Sequence, residues 1–152
     1  MPEESRSSPR EIQKYLGRIS GPLLDRIDLH VEVPAVPFRD ISSECKGESS
    51  AVMAKRVYEA RLRQYQRFAQ KKKTRNNTGM NSRDLKKYCR LNRETKNLLE
   101  AAMDDLKLSA RSYDRILKVA RTIADINGTE NISSNDIAEA IQYRSLDRQI
   151  WT

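Results

Sequence analysis

The chain has 152 residues, room for one domain or for one small domain beside a piece of a larger one. Hydrophobic residues make up 38%, charged residues 33% and aromatics only 6%, with five glycines and five prolines, which suits a small helical core and argues against a turn-rich β-sandwich. The formal net charge of +8 points either to a polyanionic partner, nucleic acid among them, or to a basic solvated surface. No apolar run approaches the roughly 20 residues of a membrane span, and the polar, charged N-terminal residues do not read as a secretory signal. Cys45 and Cys89 lie far apart without a metal-ligand spacing and read as two free thiols of a reducing, cytoplasmic compartment, a disulfide being the alternative.

In chain order, Ser8-Pro9 opens the first element, with a serine cap, proline at the first helical position and Glu11 in the first turn. Ile12, Tyr15, Leu16 and Ile19 follow at helical spacing, and Gly21-Pro22 stops the run. After a helical turn at Leu23-Leu24-Asp25-Arg26, residues 27–33 alternate apolar and polar up to Pro34, the pattern of a strand. One strand makes no sheet, so its partners are expected outside this sequence, and residues 1–33 read as an orphaned helix and strand.

Residues 34–48, with Pro34, Pro37 and Gly47, predict a loop. A long helix is predicted from Ser49 or Ser50 to about Ala69, with Ala54, Val57, Tyr58, Leu62, Tyr65, Phe68 and Ala69 as its apolar stripe and Arg56, Glu59, Arg63 and Arg67 elsewhere. Residues 71–79 are basic, polar and aperiodic, and predict an exposed linker. A short helix from Ser82 to Cys89 follows, then one capped by Asn92 with Leu98, Leu99, Ala102 and Met103 facing inward. Ser109 caps a strong helix carrying Tyr113, Ile116, Leu117, Ala120, Ile123 and Ala124 on one face, ended by Asn127-Gly128. Ser133 or Ser134 caps the last, with Ile137, Ala138, Ala140 and Ile141 inside.

The catalytic inventory is largely negative: no phosphate-binding loop, no HExxH, no CxxC and no nucleophile beside a base. His30, the single histidine, sits mid-strand and reads as structural. Two arginines stand out. Arg26 lies at a junction between a helical turn and the strand, a rigid place from which to project a charge. Arg111 lies in the first turn of the strong helix, where a cation opposes the helix dipole at a cost of about 0.3–1 kcal/mol, so its presence there points to an external anion. Arg115, one turn later, can assist. A guanidinium stays charged and binds phosphate oxygens bidentately. The alternative is two surface arginines in an arginine-rich chain.

The string from Ile19 to Val33, with Ser20-Gly21-Pro22-Leu23-Leu24-Asp25-Arg26 at its heart, resembles the ComM (YifB) group of magnesium-chelatase-related AAA+ ATPases. So do Gln13 to Leu16, Leu108-Ser109-Ala110-Arg111-Ser112-Tyr113 through Asp125, and Ile137 to Arg144, whereas residues 71–81 fit poorly. The resemblance implies a mainly α chain: a helical-bundle AAA+ lid over residues 49–152, a linker at 37–48, and at 1–36 the poorly ordered last helix and edge strand of the AAA+ core. It implies that Arg26 is an arginine finger reaching ATP on a neighbouring subunit and that Arg111 is the sensor-2 residue; Arg115, one turn after Arg111, is expected from its position to support ATP binding. Ser5 and Ser7 stand where members of the group carry cysteines, so no metal site is expected there. Since the phosphate-binding loop and the Mg²⁺-binding acid lie upstream in such proteins, the sequence is read as a fragment. ATP and Mg²⁺ belong to the parent and neither is expected to bind this piece tightly.

The implied parent is a cytoplasmic ring, a hexamer of identical subunits, working on DNA with no membrane partner, in the manner of a branch-migration motor. A magnesium-chelatase subunit is the neighbouring alternative. Arg61, Arg63, Arg67, Lys71, Lys72, Lys73 and Arg75, with no acid among them, are the candidates for DNA phosphate contacts. Two other classes stay open: a stand-alone basic helical nucleic-acid-binding module, and a helical protein adaptor.

Overall fold

In the computed structural model the residues described are 8, 10, 11, 14, 23, 26–31, 33–37, 47–72 and 74–144. Five α-helices lie among them: α1 (Ser50–Arg67), α2 (Ser82–Tyr88), α3 (Arg93–Asp105), α4 (Ala110–Asn127) and α5 (Ser134–Gln142), with a short 3₁₀ turn (Asn77–Gly79) before α2. The chain is therefore mainly helical, as expected. At Ser8, Nα and Oγ both donate to the Glu11 carboxylate, at 2.8 and 2.9 Å, the start expected for the first helix. Most of that predicted helix lies outside the described residues, as do Cys45 and Lys73. Among the described residues no strand is present: 27–31 and 33 carry no ladder, because a ladder needs a second strand.

Local chemistry sets the helix boundaries. Ser49, Asn92 and Ser109 each accept a backbone N–H of the first turn that follows. Asn81 with Asp84, and Ser133 with Asp136, form reciprocal capping boxes. α4 ends at Gly128, whose φ of 75° is left-handed, while the Thr129 N–H returns to the Ala124 carbonyl at 2.9 Å.

α4 is the axis of the bundle. It packs against α1, α2, α5 and the 3₁₀ turn, and α3 packs on α5. Ile116, Leu117, Ala120, Ile123 and Ala124 form its buried stripe, meeting Phe68, Leu85, Leu99, Ile137 and Ala140. Each fully buried Ile or Leu contributes about 1.5–3 kcal/mol, so this stripe dominates the stability of the bundle.

The apolar stripe predicted for α1 requires correction. Only Phe68 of that set is buried; Val57, Tyr58, Leu62 and Tyr65 are all exposed, as are residues 50–59 throughout. The face turned to the bundle is Ala60, Gln64 and Phe68, with Arg63 and Arg67 half-buried beside it. Small and polar groups win there because the surface they meet is itself polar. The Gln64 Oε1 accepts the Asn77 N–H at 3.2 Å, and the Arg67 guanidinium meets the Asp125 carboxylate. In α3, Leu98 likewise remains partly outside, at 38% exposure, while Leu99 is buried.

Candidate functional site

The Ser109 cap starts α4 so that Arg111 falls in its first turn, exposed, with Arg115 on the same face one turn later. Arg115 is half-buried and forms an ion pair with Asp28. That pair helps to tie residues 26–31 to the bundle. The His30 N–H donates to the Tyr143 carbonyl at 2.8 Å, and Arg144 Nη1 donates to the Ile27 carbonyl. Through Nη2, Arg144 also donates to Ser112 Oγ at 3.2 Å.

Arg144 is only 1% exposed, and its two ends hold the residue after Arg26 and the residue after Arg111. Arg26 and Arg111, nominated on sequence grounds, therefore lie on two backbone segments joined by one buried guanidinium. Both are exposed, as a group that meets an external anion must be. His30 is buried where the segment docks. The role of Arg144 carried no sequence signal of its own, since it depends on contacts 117 and 32 residues away.

The basic stretch from Arg61 to Arg75 does not form one face. Arg61, Lys72 and Arg75 are exposed, and Lys73 lies outside the described residues. Arg63 turns inward and donates to the Asp125 carbonyl at 3.0 Å. Lys71 pairs with Asp84, which lowers the Asp84 carboxyl below the usual aspartate range. Arg67 makes a two-pronged contact with the Asp125 carboxylate at 2.7 and 2.5 Å, and a third bond to Asn77 Oδ1 at 2.9 Å.

Asp125 is fully buried and also takes Asn77 Nδ2 at 2.8 Å and Arg121 Nη2 at 3.2 Å. Burial pushes its carboxyl upward, but the hydrogen bonds from Arg67 and Asn77 outweigh that and leave it below the ordinary value. Burial likewise pushes Arg121 below its usual range. Arg121 and Asp125 are spaced i,i+4 on α4, a pairing visible in the sequence but easily taken for a surface one.

Among the described residues no group of three or more His, Cys, Asp or Glu is placed to hold a metal.

Residues 47–144 match the family model for the C-terminal part of magnesium chelatase subunit ChlI, and residues 1–41 match the model for magnesium chelatase subunit ChlI itself. The chain belongs to the magnesium chelatase ChlI family. Among ChlI-related proteins it is 45% identical to the uncharacterized protein YifB of Salmonella typhimurium, over 95% of this chain and 28% of that protein. It is 41% identical to the competence protein ComM of Haemophilus influenzae and 40% to YifB of Escherichia coli, in each case over the same shares. The chain thus spans 28% of the length of these curated relatives. No helix among the described residues of this ChlI-family chain is long and apolar enough to cross a membrane.

Proposed function

We propose that this chain is the lid of a ring-forming AAA+ ATPase, in which Arg111 senses the γ-phosphate of bound ATP and Arg26 serves as an arginine finger toward a neighbouring subunit. The observation that carries the reading is the Arg144 bridge: one buried guanidinium holds Ile27 and Ser112, so two exposed arginines share a common support. Arg115 acts through its pair with Asp28, fixing the segment that bears Arg26. Each exposed guanidinium stabilises charge that develops on the transferred phosphoryl group. ATP and Mg²⁺ bind in the parent, where ATP supplies the phosphoryl group. The likeness to a competence protein favours a parent that processes DNA, its subunits assembled as a hexamer.

ATPase activity of the full-length parent tests the assignment. Arg26→Ala should lose about 10³-fold or more in turnover while still binding ATP, as removal of a finger does. Arg111→Ala should lose turnover and weaken ATP binding as well. Wild-type turnover in both variants would sink the proposal and leave the basic surface as the working one.

A further inference from the structure

A second concentration of positive charge lies at the other end of α4. A cavity of about 670 Å³ opens between the C-terminal half of α1, the end of α2 and the loop after α4. Arg121, on its wall, is ten residues along α4 from Arg111, about 15 Å at 1.5 Å per residue, so the cavity is separate from the Arg26 and Arg111 region.

Its floor is the Asp125 network, in which two guanidinia, those of Arg67 and Arg121, share one carboxylate and leave a surplus of positive charge. Arg121 also donates to the carbonyls of Glu130 at 2.5 Å and Thr129 at 2.7 Å, fixing the loop that forms the far wall. Arg63 adds a third guanidinium, held by the Asp125 carbonyl. On the rim, Lys87 and Arg90 are exposed and make no ion pair with any described residue. Lys87 Nζ lies 5.0 Å from the centre of the Tyr88 ring, which steers the ammonium along the rim. Five cations thus line the cavity against two acids, Asp125 and Glu130, and the first is already saturated by its partners. The volume is that of a small-ligand site, but the lining is charged, so the fitting ligand is an extended anion.

We propose that this cavity binds a phosphate chain, either a free oligophosphate or a phosphodiester backbone, with Lys87 and Arg90 making the direct contacts. The floor supplies fixed positive potential and the rim supplies mobile donors. The site is independent of nucleotide sensing, and its test leaves Arg26 and Arg111 untouched.

Two probes report on the full chain: anisotropy of a labelled oligothymidylate of about 20 nucleotides, and calorimetry with inorganic tripolyphosphate. Both are measured at about 50 and 200 mM salt. Lys87→Ala/Arg90→Ala is compared with Arg93→Ala/Lys96→Ala, which removes the same charge from exposed positions of α3 outside the cavity. Thermal melts by circular dichroism confirm that both variants fold. The rim variant should weaken binding by about 10-fold or more and flatten the salt dependence, and the α3 variant by about 2-fold or less. Binding of oligothymidylate alone identifies a nucleic-acid backbone as the ligand; binding of tripolyphosphate with competition identifies a short oligophosphate. Equal losses in the two variants reduce the effect to net charge and overturn the proposal. So does failure of the wild-type chain to bind either probe at low salt.

Discussion

Replacing Asp125 by alanine removes the single carboxylate on which the half-buried Arg67 and the buried Arg121 guanidinia depend. The Arg67 and Arg121 side chains are only 14% and 3% exposed, so neither can turn to water without opening the packing between α1 and α4. Without the carboxylate the two like charges face one another, and Asn77 loses an acceptor. Breaking a buried pair from one side costs about 3–5 kcal/mol, about a fifth or more of the roughly 5–15 kcal/mol that holds a small domain folded. Asp125→Asn keeps the volume and one acceptor oxygen and should cost less, about 1–3 kcal/mol. Urea denaturation of the full chain, followed by far-ultraviolet circular dichroism, measures both. The pH dependence gives a second check. The Asp125 carboxyl titrates below its unfolded value, so its contribution is complete above about pH 4 and is lost as pH falls through the folded value. Asp125→Asn should lack that part of the acid destabilisation. A loss below about 1 kcal/mol in Asp125→Ala, with an unchanged denaturant slope, refutes the claim that this network supports the bundle.

Gly128→Ala should cost about 1 kcal/mol, because φ is 75° and the new Cβ would stand 3.1 Å from Arg63 Nη2; unchanged stability in urea contradicts the cap assignment. Burial pushes the Cys89 thiol up to about 11, so in Cys45→Ser it should react with Ellman's reagent at least about 100-fold more slowly folded than unfolded. Comparable rates would place Cys89 at the surface. Tyr65 is 57% exposed, so Tyr65→Ser should change stability by no more than about 0.5 kcal/mol. A loss of about 2 kcal/mol would return Tyr65 to the core, as its periodicity suggests. Arg115→Ala should cost at most about 1 kcal/mol, since its partner Asp28 is 52% exposed; a larger loss in urea would make the pair part of the core.

What was legible in the sequence is what local chemistry decides. Ser49, Asn92, Ser109 and Ser133 cap where their short polar side chains stand before an apolar period, and Gly128 stops α4 because only glycine takes that φ cheaply. The face of α4 was largely legible too, since Ile116, Leu117, Ala120, Ile123 and Ala124 offer one apolar stripe, although Tyr113, expected on the same face, is 38% exposed. In α1 hydrophobicity picked out a stripe of which only Phe68 is buried. Ala60 and Gln64 turn inward because Asn77 and Asp125, distant in sequence, present polar groups that need partners. Arg67 reads as a surface cation for the same reason: nothing within ten residues on either side of it betrays the carboxylate at position 125. Arg26 and Arg111 were nominated from their local positions, but the bridge between their neighbours runs through Arg144 and is a property of the fold alone.

α4 carries two kinds of arginine that composition cannot separate. At its N-terminal end Arg111 is exposed and sits against the helix dipole, a position mildly unfavourable to the helix itself. At its C-terminal end Arg121 is buried among carbonyls and Asp125, where it does little except hold structure. Loss of activity after either substitution therefore has two different meanings, and stability tells them apart. A residue whose removal leaves the urea midpoint unchanged but stops turnover acts on a ligand. One whose removal shifts both acts through the fold. Lys87 and Arg90 resemble Arg111 in being exposed, whereas Arg63 and Arg67 are half-buried and lie between the two groups. That intermediate position is why the cavity is tested at its rim: substitutions at Lys87 and Arg90 remove charge that meets the ligand and leave the Asp125 network intact.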